Sequence, residues 1–298
     1  AKGAVSDHHP LGCGVLGRSG TPIASWFMNE CDLIVVFGSS FSNHTGIADY
    51  KKTVQIDADP MALGRFHSVD IPVVGDVGRT SSLLADALAG VSARASEAEV
   101  AERWSIWRAE KEQRRADRSP DGVGAATVFD ALSGLIQDDA VVCVDVGNNT
   151  YSFGRYFEVE DQDVLMSGYL GSIGFALPAA MGAWAAVGGR RQVVSISGDG
   201  GLGQYAMELT TAAKYEMDLT HVVLDNSELG KISKEQRSAE LDVWQTSLVN
   251  PDFAALAELC GVRGFRIADT DEVEATLAEA LAHRGPALVY VRSDPLLV

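Results

Sequence analysis

Residues 193–236 read VVSISGDGGLGQYAMELTTAAKYEMDLTHVVLDNSELGKISKEQ, and this stretch decides the fold of the chain. The β-branched run at residues 193–197 predicts a strand, and the GDGG motif at residues 198–201 predicts a turn that no Cβ atom obstructs. Apolar residues at roughly helical spacing from Ala206 predict a helix, and residues 221–224 predict a second apolar strand. The stretch therefore predicts one βαβ unit of an α/β fold.

Two polar residues follow the strands of this unit. The strands are parallel, so their carboxyl ends lie side by side at the edge where open α/β sheets bind ligands. Asp199 and Asn226 are 27 positions apart and are therefore expected to meet there. Their carboxylate and amide oxygens are hard ligands that suit Mg²⁺, and a bound phosphate can supply further ligands. Gly200 and Gly201 would let that phosphate approach the backbone near the positive end of the following helix.

The GDGG motif followed by Asn226 at this spacing resembles the signature of thiamine diphosphate enzymes. The resemblance implies that Asp199 and the Asn226 side chain ligate Mg²⁺ and that the main-chain carbonyl of Glu228 completes the protein ligands. The family usually has Asn-Asn where this chain has Asp225-Asn226, but the first of these positions is not the ligand.

Two other interpretations of the glycines compete with a diphosphate site. The resemblance implies that Gly198, Gly200 and Gly201 lie against the diphosphate, whereas GDGG alone also fits a plain turn. Gly198, Gly200 and Gly203 also match the G-x-G-x-x-G pattern of dinucleotide-binding loops. A nicotinamide site, however, would leave Asp199 and the distant Asn226 without a role.

Composition limits the class of protein. With 298 residues and 46% hydrophobic content, the chain can bury an ordinary core and is expected to form two domains. Its formal net charge of −17 argues against a nucleic-acid surface, which needs clustered Lys and Arg. The four cysteines form no C-x-x-C pair, which favours reduced thiols. No secretory signal pattern opens the chain, so a cytoplasmic location is expected.

One uncharged run, residues 166–189, is long enough to cross a bilayer. Its six glycines, two serines and Pro178 make it less apolar than most membrane spans, and it begins as a loop. We therefore expect a buried loop and helix rather than a membrane span.

Residues 1–91 alternate between apolar strands and helical patterns, which predicts a Rossmann-like domain. Within it the run DLIVVF at residues 32–37 predicts a strand covered on both faces. The domain resembles the second half of the middle domain in the acetolactate synthase and pyruvate oxidase branch of the thiamine enzymes. There the matching segments line an FAD site: Leu16-Gly17-Arg18-Ser19-Gly20, Gly38-Ser39-Ser40-Phe41, Asp57-Ala58 and Gly75-Asp76-Val77. A middle domain that keeps the fold without its flavin is the alternative.

Residues 92–122 are densely charged, with Trp104 and Trp107 at helical spacing. This pattern predicts a helical linker on the surface that ends at Pro120-Asp121-Gly122. A basic nucleic-acid-binding arm is the alternative, but glutamates are interspersed among the basic residues.

Residues 123–298 form the second predicted domain, a diphosphate-binding domain. The resemblance implies that Gly147, Asn148 and Asn149, after a strand at residues 140–144, touch the diphosphate; a turn is the alternative. Residues 167–174 are similar to the family loop around the aminopyrimidine, which places Gly171 and Ser172 at the cofactor. In that loop the family has a bulky apolar residue, here Ile173, that holds thiamine in its bent form; by sequence alone Ile173 is equally a core isoleucine.

The segment LGKISKEQ at residues 229–236 resembles pyruvate oxidases more than acetolactate synthases. In the oxidases the glutamate that matches Glu235 reaches over the substrate, where a carboxylate can relay protons. A solvated residue at a helix start is the alternative. Ile173 and Glu235 are thus the two catalytic candidates.

The predicted fold class is α/β with two Rossmann-like, doubly wound domains and mainly parallel sheets. The expected function is thiamine diphosphate- and Mg²⁺-dependent decarboxylation of a 2-oxo acid such as pyruvate, as in the oxidases. Three alternatives stay open: an acetolactate synthase-type carboligase, a cofactor-binding module without turnover, and a nicotinamide oxidoreductase.

The resemblance also implies a partner. The family's pyrimidine-binding domain, whose glutamate protonates thiamine N1′, does not match any part of these residues, and neither does the front half of the middle domain. A partner chain or segment is therefore expected to supply them, within a homo- or hetero-oligomer.

Overall fold

A computed structural model describes residues 2–39 and 45–295. The chain divides into a small unit, Pro10–Trp107, and a large unit that contains the residues up to His9 and from Arg108 onward. These divisions differ from the predicted bounds at residues 91 and 122. Residues near the start belong to the large unit because Asp7 forms two hydrogen bonds with it. Its backbone amide donates to Val159 O over 2.8 Å, and its side-chain carboxylate accepts from Val159 N.

The small unit is built on a three-stranded parallel sheet in the order β1-β2-β3. Thr21 caps its first helix, where Pro22 occupies the first turn and lacks an amide that would need a partner. The elements in chain order are α1 (Pro22–Glu30), β1 (Leu33–Phe37), β2 (Lys52–Asp57), β3 (Ile71–Val74), α2 (Val77–Ala87) and α3 (Glu97–Ala116), whose second half belongs to the large unit.

Strand β1 is not covered on both faces, so that expectation was wrong for the residues described. Ile34 and Val36 are buried, whereas Leu33, Val35 and Phe37 are 48%, 44% and 40% exposed. Side chains alternate between the faces of a strand, so an unbroken apolar run does not by itself show that both faces are packed.

The charged segment forms α3. The acidic residues of its first turn and the basic residues of its last turn stabilise the helix through its dipole. The prediction of a surface linker implies exposed tryptophans, but Trp104 and Trp107 are both buried. The Trp104 indole N–H donates to the carbonyl of Gly12 over 2.8 Å, which satisfies its polar group in the interior.

The large unit contains a six-stranded, entirely parallel sheet in the order β5-β4-β6-β7-β9-β8. The two parallel sheets confirm the predicted α/β fold class. The elements in chain order are α4 (Ala125–Leu135), β4 (Val141–Val144), α5 (Asn148–Tyr156), β5 (Asp163–Met166), α6 (Ala176–Val187), β6 (Val193–Gly198), α7 (Asp199–Tyr205), a 3₁₀ turn (Ala206–Glu208), α8 (Leu209–Lys214), β7 (Thr220–Asp225), α9 (Gly230–Ser238), α10 (Phe253–Leu259), β8 (Arg263–Ile267), a second 3₁₀ turn (Thr270–Glu272), α11 (Val273–Ala282) and β9 (Ala287–Arg292).

The strand order reverses beside β4. From β4 the chain goes to β5 on one side and then to β6 on the other, so the connections after β4 and β6 leave the sheet in opposite directions. Parallel sheets open a crevice at such a point, at the carboxyl ends of the strands. Strands β4, β6 and β7 are buried along nearly their whole length, which makes this part of the sheet a rigid support.

Two local predictions differ from the structure. Asp199-Gly200-Gly201 does not form a turn before a helix at Ala206; helix α7 already begins at Asp199. An aspartate is favourable in a first turn, and a Cβ at Gly201 would collide with the Asp145 carboxylate, so packing selects glycine here despite its low helix propensity.

The run at residues 166–189 forms the end of β5, a loop and helix α6. The expectation of a buried loop was wrong, because residues 168–173 are exposed. Helix α6 has 12 residues, and Ala176, Leu177, Ala180 and Ala183 on it are buried against the sheet. Across the described parts of the chain, no helix combines the length and hydropathy that crossing a membrane requires.

Candidate functional site

A cavity of about 590 Å³ lies at the carboxyl ends of β4, β6 and β7 in the large unit. It is beside the point where the strand order reverses, the position at which open parallel sheets bind ligands. The cavity collects most of the residues predicted for the diphosphate and metal: Gly147, Asn148, Asn149, Gly171, Ile173, Gly198, Asp199, Gly200, Gly201, Asn226 and Glu228.

Three helices begin at this cavity. Their first residues, Asn148 of α5, Asp199 of α7 and Gly230 of α9, all line it. The first amides of a helix have no partner within the helix, and the dipole places partial positive charge at that end. The cavity is therefore suited to a bound anion such as a diphosphate.

Glycines keep the floor of the cavity open. A Cβ at Gly200 would lie 2.8 Å from Leu229 Cδ2 and 3.8 Å from Ile173 Cδ1. A Cβ at Gly230 would lie 2.5 Å from Asn148 Nδ2 and 3.1 Å from Asn226 Nδ2. Neighbouring side chains thus pack close to Gly200 and Gly230, which have no side chains of their own. A ligand can therefore approach the main chain closely there.

Asp199 is buried at the base of the cavity, only 3% exposed. Burial raises the pKa of its carboxyl to about 7, and the nearby Asp225 carboxylate adds to the rise. The Asn250 amide opposes the rise by donating a 2.7 Å hydrogen bond to Asp199 Oδ2. A buried carboxylate beside a second carboxylate is poorly solvated, and a cation would relieve both the desolvation and the repulsion.

Asn226 and Glu228 follow β7 in one short loop. The Asn226 Oδ1 atom accepts a 3.2 Å hydrogen bond from the Glu228 amide, so the loop folds over the asparagine side chain. Together with Asp199, these residues present carboxylate, amide and carbonyl oxygens, the donor chemistry that Mg²⁺ prefers. Over residues 2–39 and 45–295, no group of three or more His, Cys, Asp and Glu side chains forms a metal-binding cluster, and the proposed donor set has one carboxylate.

Sequence reasoning missed Asp145, which anchors the loop that carries Ile173. Asp145 is 1% exposed, and its Oδ1 atom accepts hydrogen bonds from the amides of Val146, Gly174 and Phe175 at 2.6, 2.8 and 3.3 Å. Burial raises the pKa of this carboxyl. The only signal was an aspartate directly after an apolar strand, which did not reveal its partners 29 and 30 positions later.

The predicted thiamine loop is divided between cavity and solvent. Gly171 and Ile173 line the cavity, whereas Ser172 is exposed, does not line it, and donates its amide to Ser167 Oγ over 3.1 Å. Gly174 has a φ of 87° and lies against the Tyr205 ring, where a Cβ would clash. The turn at Gly174 thus directs Ile173 toward Gly200.

Glu235 does not line the cavity and is not at a helix start; it is in the middle of α9. Its side chain is exposed and forms an ion pair with Lys231, one turn earlier. Lys231 does line the cavity, and its ammonium lies 5.4 Å from the centre of the Tyr151 ring. The pair therefore joins Glu235 to the cavity wall through Lys231.

The residues predicted for a flavin lie at the carboxyl edge of the small unit's sheet. Gly38 follows β1 and donates to Ile56 O, and Gly75 follows β3 and donates to Asp57 O, both over 2.9 Å. The Asp57 carboxylate accepts from the Asp59 amide, and Asp76 caps α2 by accepting from the Arg79 amide.

Two other parts of the predicted flavin set stand at the margins of this edge. Leu16 and Gly17 form the turn before α1, where the Gly17 Cα lies close to Gly46, and Ser39 follows Gly38. Ser40 and Phe41, predicted with Gly38, lie outside the described residues.

Comparisons with known proteins point to one family. Residues 145–291 match the family described as thiamine pyrophosphate enzyme, C-terminal TPP binding domain, and residues 1–84 match its central domain. YdaP of Bacillus subtilis, whose name describes it in terms of thiamine pyrophosphate, is 33% identical over 292 residues, which cover 98% of this chain and 50% of that protein.

Two Escherichia coli proteins are also similar. The large subunit of acetolactate synthase isozyme 2 is 31% identical over 302 residues, covering 99% of this chain and 54% of that subunit. The large subunit of isozyme 3 is 32% identical over 301 residues, covering 97% and 52%. The chain thus spans about half the length of the curated relatives it matches.

Proposed function

Because the chain belongs to the thiamine pyrophosphate enzyme family, in the branch of acetolactate synthases and pyruvate oxidases, we propose that its cavity binds thiamine diphosphate with Mg²⁺ and that the whole protein decarboxylates a 2-oxo acid. The observation that carries this proposal is the convergence of Asp199, Asn226 and Glu228 with three helix starts on one cavity. Pyruvate is the proposed substrate.

Each part of the cavity has a role in this proposal. Asp199, the Asn226 side chain and the Glu228 carbonyl would hold Mg²⁺, and the metal would neutralise charge on the diphosphate. The starts of α5 and α9, with Gly147, Asn148, Asn149 and the glycines after β6, hold the phosphate oxygens through backbone amides. Ile173 supports the rings from the apolar side of the cavity.

Bound thiamine diphosphate would supply a nucleophilic carbon for the carbonyl of a 2-oxo acid and an acceptor for the electron pair released when CO₂ leaves. The apolar walls around Ile173, Leu229 and Leu248 exclude water from that chemistry. Glu235, held by Lys231, is the proposed proton relay above the substrate.

Two fates of the decarboxylated substrate are compatible with these residues. Similarity to acetolactate synthase large subunits favours addition to a second 2-oxo acid, the carboligase route. The segment at residues 229–236 instead favours transfer of electrons to an acceptor, the oxidase route. Supplying the complete protein with pyruvate and measuring acetolactate formation and acceptor reduction in parallel separates the two.

The proposal includes a carboxylate from outside these 298 residues. In the lining of the cavity the acidic residues are Asp199, Glu228 and Asp294, and we assign none of them to thiamine N1′. We propose that another chain or segment brings this group to the cavity, beside the loop that carries Ile173, where Tyr169 and Leu170 are 76% and 79% exposed. The assembled protein would then be a homo- or hetero-oligomer.

We also propose that the small unit takes part in FAD binding. What supports this is the shared edge formed by Gly38, Asp57, Gly75 and Asp76, together with the turn at Leu16 and Gly17, because a dinucleotide binds at such edges through backbone amides and an acidic residue. Flavin absorbance retained by the purified complete protein tests it. A protein that stays colourless after incubation with FAD would reject it.

The central proposal is tested by metal-dependent binding of thiamine diphosphate. Asp199→Ala removes the charged ligand and Asn226→Ala removes an amide ligand, so both should abolish Mg²⁺-dependent binding in calorimetric titrations. Asp218→Ala, which removes an exposed partner of Arg284, is the control and should bind normally. Equal affinity in all four proteins would reject the metal assignment, and tighter binding of NAD than of thiamine diphosphate would favour the dinucleotide alternative.

A further inference from the structure

We propose that Asn250 is the positioning residue for the metal ligand Asp199, a role that sequence reasoning did not assign. The inference rests on the proposed function of the cavity. The Asn250 side-chain amide donates to Asp199 Oδ2 over 2.7 Å and to Asp225 Oδ1 over 2.8 Å. One NH₂ group therefore bridges two buried carboxylates that would otherwise repel each other.

The bridge fixes the orientation of Asp199. With Oδ2 held by Asn250, the carboxylate cannot rotate freely, which limits the directions in which its other oxygen can face a cation. Groups of this kind, which hold a ligand by hydrogen bonding, pre-organise metal sites and account for much of their affinity. An acceptor at position 250 could not do this, because both of its neighbours are carboxylates.

Asp225 is the other end of the bridge, and it is itself held firmly. Its Oδ1 atom accepts from the Ser227 amide over 2.8 Å and from Ser227 Oγ over 3.1 Å, and its Oδ2 atom accepts from the Tyr290 hydroxyl over 3.0 Å. These donors leave Asp225 little freedom, so Asn250 transmits the position of a fixed carboxylate to Asp199.

The backbone before Asn250 is paired with the loop that carries Glu228. Leu229 N donates to Thr246 O over 2.7 Å, Leu248 N donates to Ser227 O over 2.8 Å, and Glu228 pairs with Ser247 in an antiparallel bridge. The segment that ends at Asn250 is thereby placed in register with the Asn226–Glu228 loop. The hydrogen bonds of Asn250 and of the segment before it thus set the position of Asp199, after β6, relative to Asn226 and Glu228, after β7.

The test measures Mn²⁺ in place of Mg²⁺ in the full protein, with thiamine diphosphate present, by electron paramagnetic resonance. Asn250→Ala should weaken Mn²⁺ binding by on the order of 10–100-fold, the usual effect of losing a group that orients a metal ligand, and should broaden the Mn²⁺ spectrum. Asn250→Ser, which keeps a shorter donor, should fall between wild type and alanine.

Asp252→Ala is the matched control, since it removes the cap of α10 two residues away without touching Asp199. It should lower the unfolding temperature and leave Mn²⁺ affinity and spectrum unchanged. A double-mutant cycle with Asp225→Asn adds a second readout: because Asn250 acts by joining two charges, its loss should matter less once Asp225 is neutral.

Each outcome decides the inference. Wild-type Mn²⁺ affinity and an unchanged spectrum in Asn250→Ala would overturn it. The inference would also fail if the double variant lost Mn²⁺ binding free energy equal to the sum of the losses in the two single variants. If wild type itself binds no Mn²⁺ with thiamine diphosphate, the proposed function fails and the inference fails with it. That result is distinct from normal binding by both wild type and Asn250→Ala, which would overturn the inference alone.

Discussion

The backbone amide of Gly174 donates a 2.8 Å hydrogen bond to Asp145 Oδ1, which ties the loop that carries Ile173 to the end of a central strand. Asp145 lies directly after β4, so the loop is fastened to the most buried part of the sheet. The position of Ile173 over the cavity therefore depends on a carboxylate 28 positions earlier in the chain.

Asp145→Ala should release this loop and weaken thiamine diphosphate binding by about tenfold or more. The buried amides of Gly174 and Phe175 would lose their acceptor, at a cost of roughly 1–3 kcal/mol for each unsatisfied group. Calorimetric titration of the cofactor and urea unfolding measure the two effects. Asp163→Ala, which breaks an exposed pair with Arg191, serves as the control, and equal behaviour of the two variants would contradict the anchoring role.

The stability of the metal-free protein should depend on the protonation of Asp199. Its pKa of about 7 in the folded chain exceeds the value of about 3.9 expected when unfolded, so the native state holds an extra proton between these values. The contribution of this carboxyl to the free energy of unfolding should therefore be fully present below about pH 4 and be lost as the pH rises through about 7. The contribution is on the order of 2–4 kcal/mol, from about 1.4 kcal/mol per pKa unit.

Asp199→Asn removes this titration, so its free energy of unfolding should fall less than that of wild type between pH 5 and pH 8. Urea unfolding of both proteins in the presence of a chelator measures the difference. Saturating Mg²⁺ with thiamine diphosphate should restore wild type at pH 8 and leave the variant unchanged. Parallel pH curves for the two metal-free proteins would show that the Asp199 carboxyl titrates normally.

Glu235→Gln keeps the shape of the side chain but removes its charge and its ion pair with Lys231. In the complete assembly, kcat should fall at least tenfold, within the range typical of lost proton transfer, while thiamine diphosphate affinity stays within about twofold. Glu240→Gln, at an exposed position just after α9, is the control. A normal rate and pH profile in Glu235→Gln would reduce Glu235 to a surface residue of the helix.

These 298 residues alone should not activate bound thiamine. Cofactor binding can persist because its proposed anchors all lie in the large unit, but the carboxylate for N1′ is proposed to come from elsewhere. Deuterium exchange at thiazolium C2 should accordingly be slower by on the order of 100–10,000-fold than in the complete protein. Fast exchange in these residues alone would refute the proposed division of the active site.

Much of the large unit followed from sequence because its signals are local. The apolar runs of β6 and β7 predicted parallel strands, and that pairing alone brought Asp199 and Asn226 to one edge. Helix α5 and strand β5 were not predicted, because NNTYSFGRY contains few strong helix formers and β5 has only four residues.

The supporting residues of the site could not be predicted, because their roles arise from contacts far apart in sequence. Asn250 reaches Asp199 across 51 positions. Asn250 belongs to no motif in its local sequence, so only the folded geometry distinguishes it from any other loop asparagine. The same holds for the tryptophans of α3, whose charged neighbours suggested a surface helix while the fold buries their rings.

The all-parallel sheet also determines when the cavity can exist during folding. Every neighbouring pair of strands needs a crossover, so most pairings join segments distant in sequence, and such topologies fold slowly. The cavity walls extend from Ala125 to Asp294, so the complete cavity requires strand pairings along nearly the whole of the large unit. We therefore expect a bound ligand mainly to slow the unfolding of the chain rather than to hasten its folding.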